Sequence, residues 1–266
     1  MNEPRSVKSH GDSSRREFLK ASASAGLAVG LVPAVHAAGT DTVRIALVGC
    51  GGRGTGAALN ALQTKANVRL VAVADAFGDR IDQSLKGLAA QTDRDRVDVP
   101  EDRRFVGLDA YQRAIESGVE AVLLCTPPGF RPAHFEAAVR AGKHVFMEKP
   151  VATDAPGVRR VLAANEEAKR KGLAVAVGHQ VEMDDFFAAI QSGEPYNEAD
   201  YGSTSTMTAI LGRMASYSGK IVGWDEAFNS NLDLMPKRIA WDAQPPIQPG
   251  PDGLYACAMP GVSKAL

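Results

Sequence analysis

The stretch VRIALVGCGGRGTGAALNAL, residues 43–62, reads as a strand, a tight turn and a helix in immediate succession. Val43 to Val48 is a nearly unbroken apolar run, the pattern of a parallel strand covered on both faces. Gly49, Gly51 and Gly54 then stand in GxGxxG spacing, and an Ala- and Leu-rich helix begins at once. The first glycine permits the tight turn, the second lets a pyrophosphate approach the backbone, and the third lets helix and strand pack closely. The start of the helix adds N–H groups with no partner of their own, which suit phosphate oxygens. A second strand, VRLVAVAD, ends on Asp75, 21 residues beyond Gly54, where a carboxylate can take the hydroxyls of an adenosine ribose. Gly49, Gly51, Gly52, Arg53, Gly54 and Asp75 are therefore the expected cofactor-binding residues of this half. The cofactor expected is NAD, because Asp75 would repel a 2′-phosphate. Arg53 and Arg80 lie close enough to leave NADP open.

The alternation continues downstream. Helix is expected from Gly78 to about Ala90, near Leu108 to Ser117, near Arg131 to Ala141 and from about Pro156 to Lys171. Strands are expected at Arg104 to Val106, Glu120 to Thr126, His144 to Lys149 and Leu173 to Gly178. Six strands alternating with helices make an α/β fold with a doubly wound parallel sheet, a Rossmann arrangement. In such a sheet the ligand lies beyond the carboxyl ends of the strands, so the residues that follow each strand are the ones to question.

Those residues carry a resemblance. CTPPGFRPAH follows the fourth strand, AGKHVFMEKP contains the fifth and runs on into EKPV, and GHQ follows the sixth. Together they resemble the Gfo/Idh/MocA oxidoreductases, over roughly Val43 to Gln180 and again from about Val181 onward. The resemblance implies an NAD(P)-linked enzyme acting on a carbohydrate-like small molecule, a sugar, cyclitol or related polyol. It implies that Lys149 assists proton transfer at the reacting hydroxyl or carbonyl, that Thr126 and Pro127 border the nicotinamide ribose, and that Glu148 contacts the cofactor's sugar or holds Lys149. Pro150 in such motifs supports an unusual backbone turn. His179, on the ligand side of the sixth strand, is the second catalytic candidate. His134, early in a helix, reads more simply as a hydrogen-bond partner of a neighbouring loop.

After VGHQVEMDDFFAAI (residues 177–190) the expected organisation changes. Members of the resembled family continue into a large substrate-binding sheet, whereas here only GKIVG and KRIAW read even faintly as strands. Met183, Phe186, Phe187 and Ile190 form one helical stripe, and Met207, Ile210, Leu211, Met214 and Tyr217 another. Both are expected to be packing faces, with Asp184 and Asp185 on a solvated side. Three parts follow: residues 1–37 as an export signal, 38–180 as the dinucleotide-binding domain, and 181–266 as a remnant of the C-terminal domain. That remnant consists of C-terminal helices and an extended tail, with a Pro-rich surface arm from Pro245 to Pro251.

The signal reading rests on SRREFLK, residues 14–20, before an Ala- and Gly-rich run to Val35 and the small-residue site VHA. It resembles a twin-arginine signal with Arg15 and Arg16 as the pair, which implies a partner in the twin-arginine export machinery and a periplasmic or secreted location. The formal net charge of −1 and the lack of a long basic run exclude a phosphate-backbone partner, so no nucleic acid is expected. No apolar run is long enough to span a bilayer. Three scattered cysteines make neither a disulfide framework nor a metal site, and Cys50 and Cys125 at strand ends suit buried, inert thiols. An oligomer is possible. Beside the oxidoreductase reading stand a nucleotide-binding remnant without turnover and a glycosidase of the same family that uses bound NAD transiently.

Overall fold

The computed structural model describes residues 42–178 and 183–263. Residues 14–37 of the export signal and His179 lie outside the described residues. Six strands form one parallel sheet: β1 (Thr42–Val48), β2 (Asn67–Asp75), β3 (Arg104–Val106), β4 (Ala121–Leu124), β5 (His144–Met147) and β6 (Val175–Val177). Their order is β3-β2-β1-β4-β5-β6. The chain winds outward from β1 in both directions, so β1 and β4 are neighbours joined by no direct connection, with Val48 opposite Leu124. That split is the switch point at which an open α/β sheet forms a crevice.

Helices fill both faces: α1 (Gly52–Leu62), α2 (Gly78–Ala89), α3 (Ala110–Glu116), α4 (Arg131–Arg140), α5 (Ala155–Arg170), α6 (Met183–Ser192), α7 (Ala199–Ser218) and the short α8 (Trp224–Phe228). Because side chains alternate across a strand, neighbouring strand residues enter different cores. Ala46, Val48, Val122, Leu124, Val145 and Met147 join Phe135, Val158, Val161, Met207 and Met214 in one cluster. Ile45, Leu47, Leu123 and Phe146 join Ala57, Ala61, Ile81, Phe186 and Phe187 in the other. The two C-terminal helices therefore divide the work: α6 covers the face of α1, and α7 covers the face of α5. Phe186 and Phe187 are fully buried, and each contributes roughly 1.5–3 kcal/mol relative to exposure.

Three expectations need correction. The run GKIVG forms no strand and neither does KRIAW, and α7 is instead ended by Gly219 in the left-handed conformation (φ 66°). Tyr217 stays about half exposed while the rest of its stripe packs, because the stripe drifts round the helix over three turns. Asp184 is not merely solvated, since its Oδ1 accepts from the Lys65 N–H at 2.9 Å and ties α6 to the segment after α1. Strand β6 is not a free edge. The Val175 N–H donates to Tyr196 O, the Glu198 N–H donates to Val175 O, and the Val177 N–H donates to Glu198 Oε2 at 2.7 Å. Those bonds blunt an edge that could otherwise pair with another chain.

Helix α7 also grips the loop after β5. Thr206 Oγ1 accepts from the Val151 N–H at 3.1 Å, and Arg213 Nη1 donates to Thr153 O at 2.7 Å. The Pro-rich arm from Pro245 to Pro251 is irregular and, apart from the partly covered Pro245, exposed. No helix among the described residues is long and apolar enough to cross a membrane.

Candidate functional site

The glycine turn is built on close contacts that only glycine tolerates. A Cβ on Gly49, whose φ is +96°, would lie 2.7 Å from the Cys125 carbonyl carbon and the Thr126 nitrogen. On Gly54 it would lie 1.8 Å from Gly49 O. Gly51 and Gly52 differ: a Cβ on either would meet nothing within 4 Å, because both face open space at the mouth of the crevice. Among the described residues, only the Thr55 N–H of the first N–H groups of α1 turns back, to Gly51 O, which leaves the N–H groups of Gly52, Arg53 and Gly54 at the helix start. The same residues fit the diphosphate of a dinucleotide, which needs both backbone donors and room for close approach.

Asp75 closes the turn from the side of β2. Its Oδ2 accepts from the Cys50 N–H at 2.6 Å, and its Oδ1 accepts from the Phe77 N–H at 3.0 Å. Both bonds fix the carboxylate at the strand end. Cys50 beneath it is buried, and burial, with Asp75 adding, pushes its thiol far above the usual range. Cys125 is only partly covered, and its thiol is pushed up to about 12, by burial first and Glu148 second. Neither thiol is a nucleophile at neutral pH.

Across the switch point, the ends of β4 and β5 bring Thr126, Pro127, Glu148 and Lys149 to the same crevice. Glu148 is buried, and Arg53 Nε lies 2.7 Å from its Oε1. No donor hydrogen is aimed at that oxygen, so the contact is an ion pair that leaves Oε1 without a hydrogen bond among the described residues. A buried acceptor in that condition suits a sugar hydroxyl. Lys149 is exposed at the crevice. Its stem crosses Gly178, where a Cβ would lie 2.7 Å from Lys149 Cγ. The Lys149-Pro150 peptide is cis, which agrees with the unusual turn expected at Pro150.

Sequence reading missed Arg131. It is buried, donating from Nη2 to Thr126 O and from Nη1 to Pro150 O, and so it ties together the two loops that carry the chemistry-bearing strand ends. Burial lowers its pKa to about 10, with Cys125 and Glu148 opposing, and the group stays charged at neutral pH. A signal was present: Arg131 opens α4, where a cation opposes the helix dipole and calls for another reason to be there. His134 behaves as the simpler reading expects. Its Nδ1 lies 3.2 Å from Thr126 Oγ1, and its ring stacks on Tyr111 at 3.9 Å. Burial, then Arg131 and Arg160, lowers its pKa to about 4, so the imidazole is neutral at pH 7 and braces the loop rather than trading protons.

Most of these residues line one cavity of about 620 Å³, which runs from Asp75, Phe77 and Arg80 at one end to Glu148 and Lys149 at the other, while Cys50, Gly54, Pro150 and Gly178 stand outside its wall. A second unforeseen member is Trp241, which enters the cavity wall from the C-terminal tail. Among the described residues no three His, Cys, Asp or Glu side chains are grouped to hold a metal ion.

Comparison with known proteins gives a consistent result. The Gfo/Idh/MocA family model, described as "Oxidoreductase family, NAD-binding Rossmann fold", matches residues 43–179. An inositol 2-dehydrogenase of Rhizobium meliloti (strain 1021) is 33% identical over 150 residues, which cover 56% of this chain and 40% of that protein. One from Paracoccus denitrificans (strain Pd 1222) is 31% identical over 150 residues, with the same coverage. The chain thus spans about 40% of the length of these curated relatives. Among solved structures, apo scyllo-inositol dehydrogenase from Lactobacillus casei matches with a TM-score of 0.41 and 23% identity, over 55% of this chain and 39% of that one. With a glycine-rich turn, a carboxylate at the end of β2, a six-stranded parallel sheet and a family match over more than half of its residues, the chain belongs to the Gfo/Idh/MocA oxidoreductase family, whose NAD-binding Rossmann domain it contains.

Proposed function

We propose that this protein is an NAD(P)-dependent oxidoreductase acting on a hydroxyl-bearing carbon of a cyclitol, sugar or related polyol, exported by the twin-arginine pathway to the periplasm or beyond. The observation that carries the enzymatic reading is the single cavity with Asp75 and the glycine turn at one end and Lys149 at the other. In this reading the N–H groups of Gly52, Arg53 and Gly54 take the diphosphate, Asp75 accepts from the adenosine ribose, and Thr126, Pro127 and Glu148 hold the second ribose. Bound NAD supplies a hydride acceptor. Lys149 and His179 are assigned the proton at the reacting oxygen, and Arg131 and His134 keep the Thr126 loop in place. The inositol dehydrogenases among the relatives make cyclitols the first substrates to try.

Calorimetry with NAD, alongside a screen of inositols and sugars for NAD reduction, tests the assignment. Asp75→Ala is expected to weaken NAD roughly tenfold or more, since a charge-assisted hydrogen bond to a buried hydroxyl is worth about 1.5–3 kcal/mol. A folded sample that does not bind NAD would end this reading. A second reading, nucleotide binding without turnover, is favoured by the exposure of Lys149, which has no hydrogen-bond partner among the described residues. Tight NAD binding with no reduction by any cyclitol or sugar selects it.

Export has its own expected result. In cells, Arg15→Lys combined with Arg16→Lys retains the protein in the cytoplasmic fraction, whereas the parent chain leaves it with its N-terminus near Ala38. Equal export of both would remove the assignment.

A further inference from the structure

The tail that follows α8 brings an aromatic ring to the nucleotide cavity. Trp241 and Phe77 face each other with ring centroids 5.5 Å apart and planes inclined at 59°. Phe77 lies two residues beyond Asp75, and its N–H is held by the Asp75 carboxylate. Trp241 is 68% exposed and Phe77 54% exposed, so two large rings meet at a cavity rim without either being buried by the other. Such exposure costs the free protein apolar hydration that a flat ligand would relieve.

The position along the cavity says which part of a ligand that is. Phosphates belong at the glycine turn between β1 and α1, and a ribose belongs at Asp75. Lys149, Thr126 and Glu148 lie on the opposite side of the switch point, beyond β4 and β5. Past Asp75 in the direction of β3, the cavity is walled by Phe77, Arg80, Gly107, Leu108 and Trp241. The tail reaches that place by lying across the β3–α3 loop, where Ile239 to Asp242 share a second cavity of about 530 Å³ with Gly107, Leu108 and Tyr111.

We infer that Trp241 is a nucleotide-positioning residue: with Phe77 it forms an aromatic wall against which the adenine base of the dinucleotide stacks, so the C-terminal tail is part of the cofactor site. The inference rests on the nucleotide reading above and adds to it a residue more than sixty positions beyond the sheet. A purine presents a π face to an indole, and Arg80 on the same wall can add a cation over either ring.

The test uses the 266-residue chain and ADP-ribose, which carries the adenosine half without the nicotinamide. The chain has two tryptophans, so Trp224→Phe leaves Trp241 as the sole reporter and Trp241→Phe leaves Trp224. The expected result is that ADP-ribose changes the emission of Trp224→Phe in a saturable way and leaves that of Trp241→Phe unchanged. Calorimetry of Trp241→Ala should show NAD and ADP-ribose both weakened roughly tenfold, since stacking a base on an aromatic side chain is worth about 1–3 kcal/mol. Trp241→Phe should recover most of that loss by restoring a ring. Because Trp241 is exposed, the variants keep their far-UV circular dichroism and thermal midpoint. Unchanged ADP-ribose affinity in Trp241→Ala, or a silent Trp241 in a protein that binds ADP-ribose, overturns the inference and leaves the nucleotide site intact. Failure of the parent chain to bind either nucleotide overturns the site and the inference together.

Discussion

Gly54→Ala is expected to cost several kcal/mol of stability and to abolish nucleotide binding. The added Cβ would lie 1.8 Å from Gly49 O, 3.0 Å from the Gly49 carbonyl carbon and 3.2 Å from Cys125 Cβ. Two of those atoms are backbone, and the backbone there has no freedom to retreat. The Gly49 N–H is bonded to Ala74 O at 2.8 Å, and Gly49 is packed so closely on the next loop that a Cβ on it would lie 2.7 Å from the Cys125 carbonyl carbon and the Thr126 nitrogen. Overpacking in a well-packed core typically costs about 1–3 kcal/mol, and a clash with immobile backbone belongs at the upper end or beyond. For a chain of this size, about 3 kcal/mol lowers the thermal midpoint by roughly 6–12 °C. The helix start must also move away from the strand, which carries the Gly52 and Arg53 N–H groups out of reach of a diphosphate.

Two neighbours isolate the cause. Gly56→Ala adds a methyl to the same helix where nothing lies within 4 Å, and helix propensity alone should stabilise it by about 0.5–1 kcal/mol. Gly51→Ala also meets open protein space, so it should keep the thermal midpoint yet lose NAD affinity, because the methyl occupies the approach of the diphosphate. Thermal unfolding and calorimetry on the three variants read both quantities. A Gly54→Ala protein with parental midpoint and affinity would refute the packing account of the turn.

What was legible in the sequence follows from the length scale of each constraint. The glycine turn, Asp75 and the strand-end residues act within a few positions of a strand, so alternation and spacing reveal them, and every sheet strand stands within a few residues of where the apolar runs place it. The helical stripes of α6 and α7 were likewise visible, since Phe186, Phe187, Met207 and Met214 are buried at helical spacing. Contacts over long separations were not legible. Asp184 bonding the Lys65 N–H spans 119 positions, and Trp241 reaches the rim beside Phe77 from the far end of the chain. No periodicity encodes such pairings. Arg131 is intermediate, because its place at the start of a helix violates a local rule and so marks a tertiary role without naming its partners. The faint strands misled because isolated β-branched residues in GKIVG and KRIAW had no neighbouring strand with which to pair.

The second large effect is expected at Lys149. If its ammonium serves the proton at the reacting oxygen, Lys149→Met should lower turnover by roughly 10²–10⁴-fold, the usual contribution of a positioned acid or base. NAD affinity should change by no more than a few-fold, because the contacts assigned to the diphosphate and the adenosine ribose lie at the ends of β1 and β2, and Glu148 keeps its place beside the second ribose. Lys149→Arg should not restore turnover, since a guanidinium keeps its proton across the working range and spreads its charge over a plane. A positioning effect can be separated from a chemical one at Gly178, whose φ is +75° and whose missing Cβ is the space that the Lys149 stem occupies. Gly178→Ala would push that stem aside by contacts of 2.7 and 2.9 Å while leaving the ammonium present. It should therefore lower turnover with NAD affinity intact, and without removing any titrating group the pH profile should keep its shape as its height falls. Steady-state rates with the best cyclitol from the screen, paired with NAD calorimetry, measure each point. Undiminished turnover in Lys149→Met would move the proton to another group, with His179 the next residue to replace.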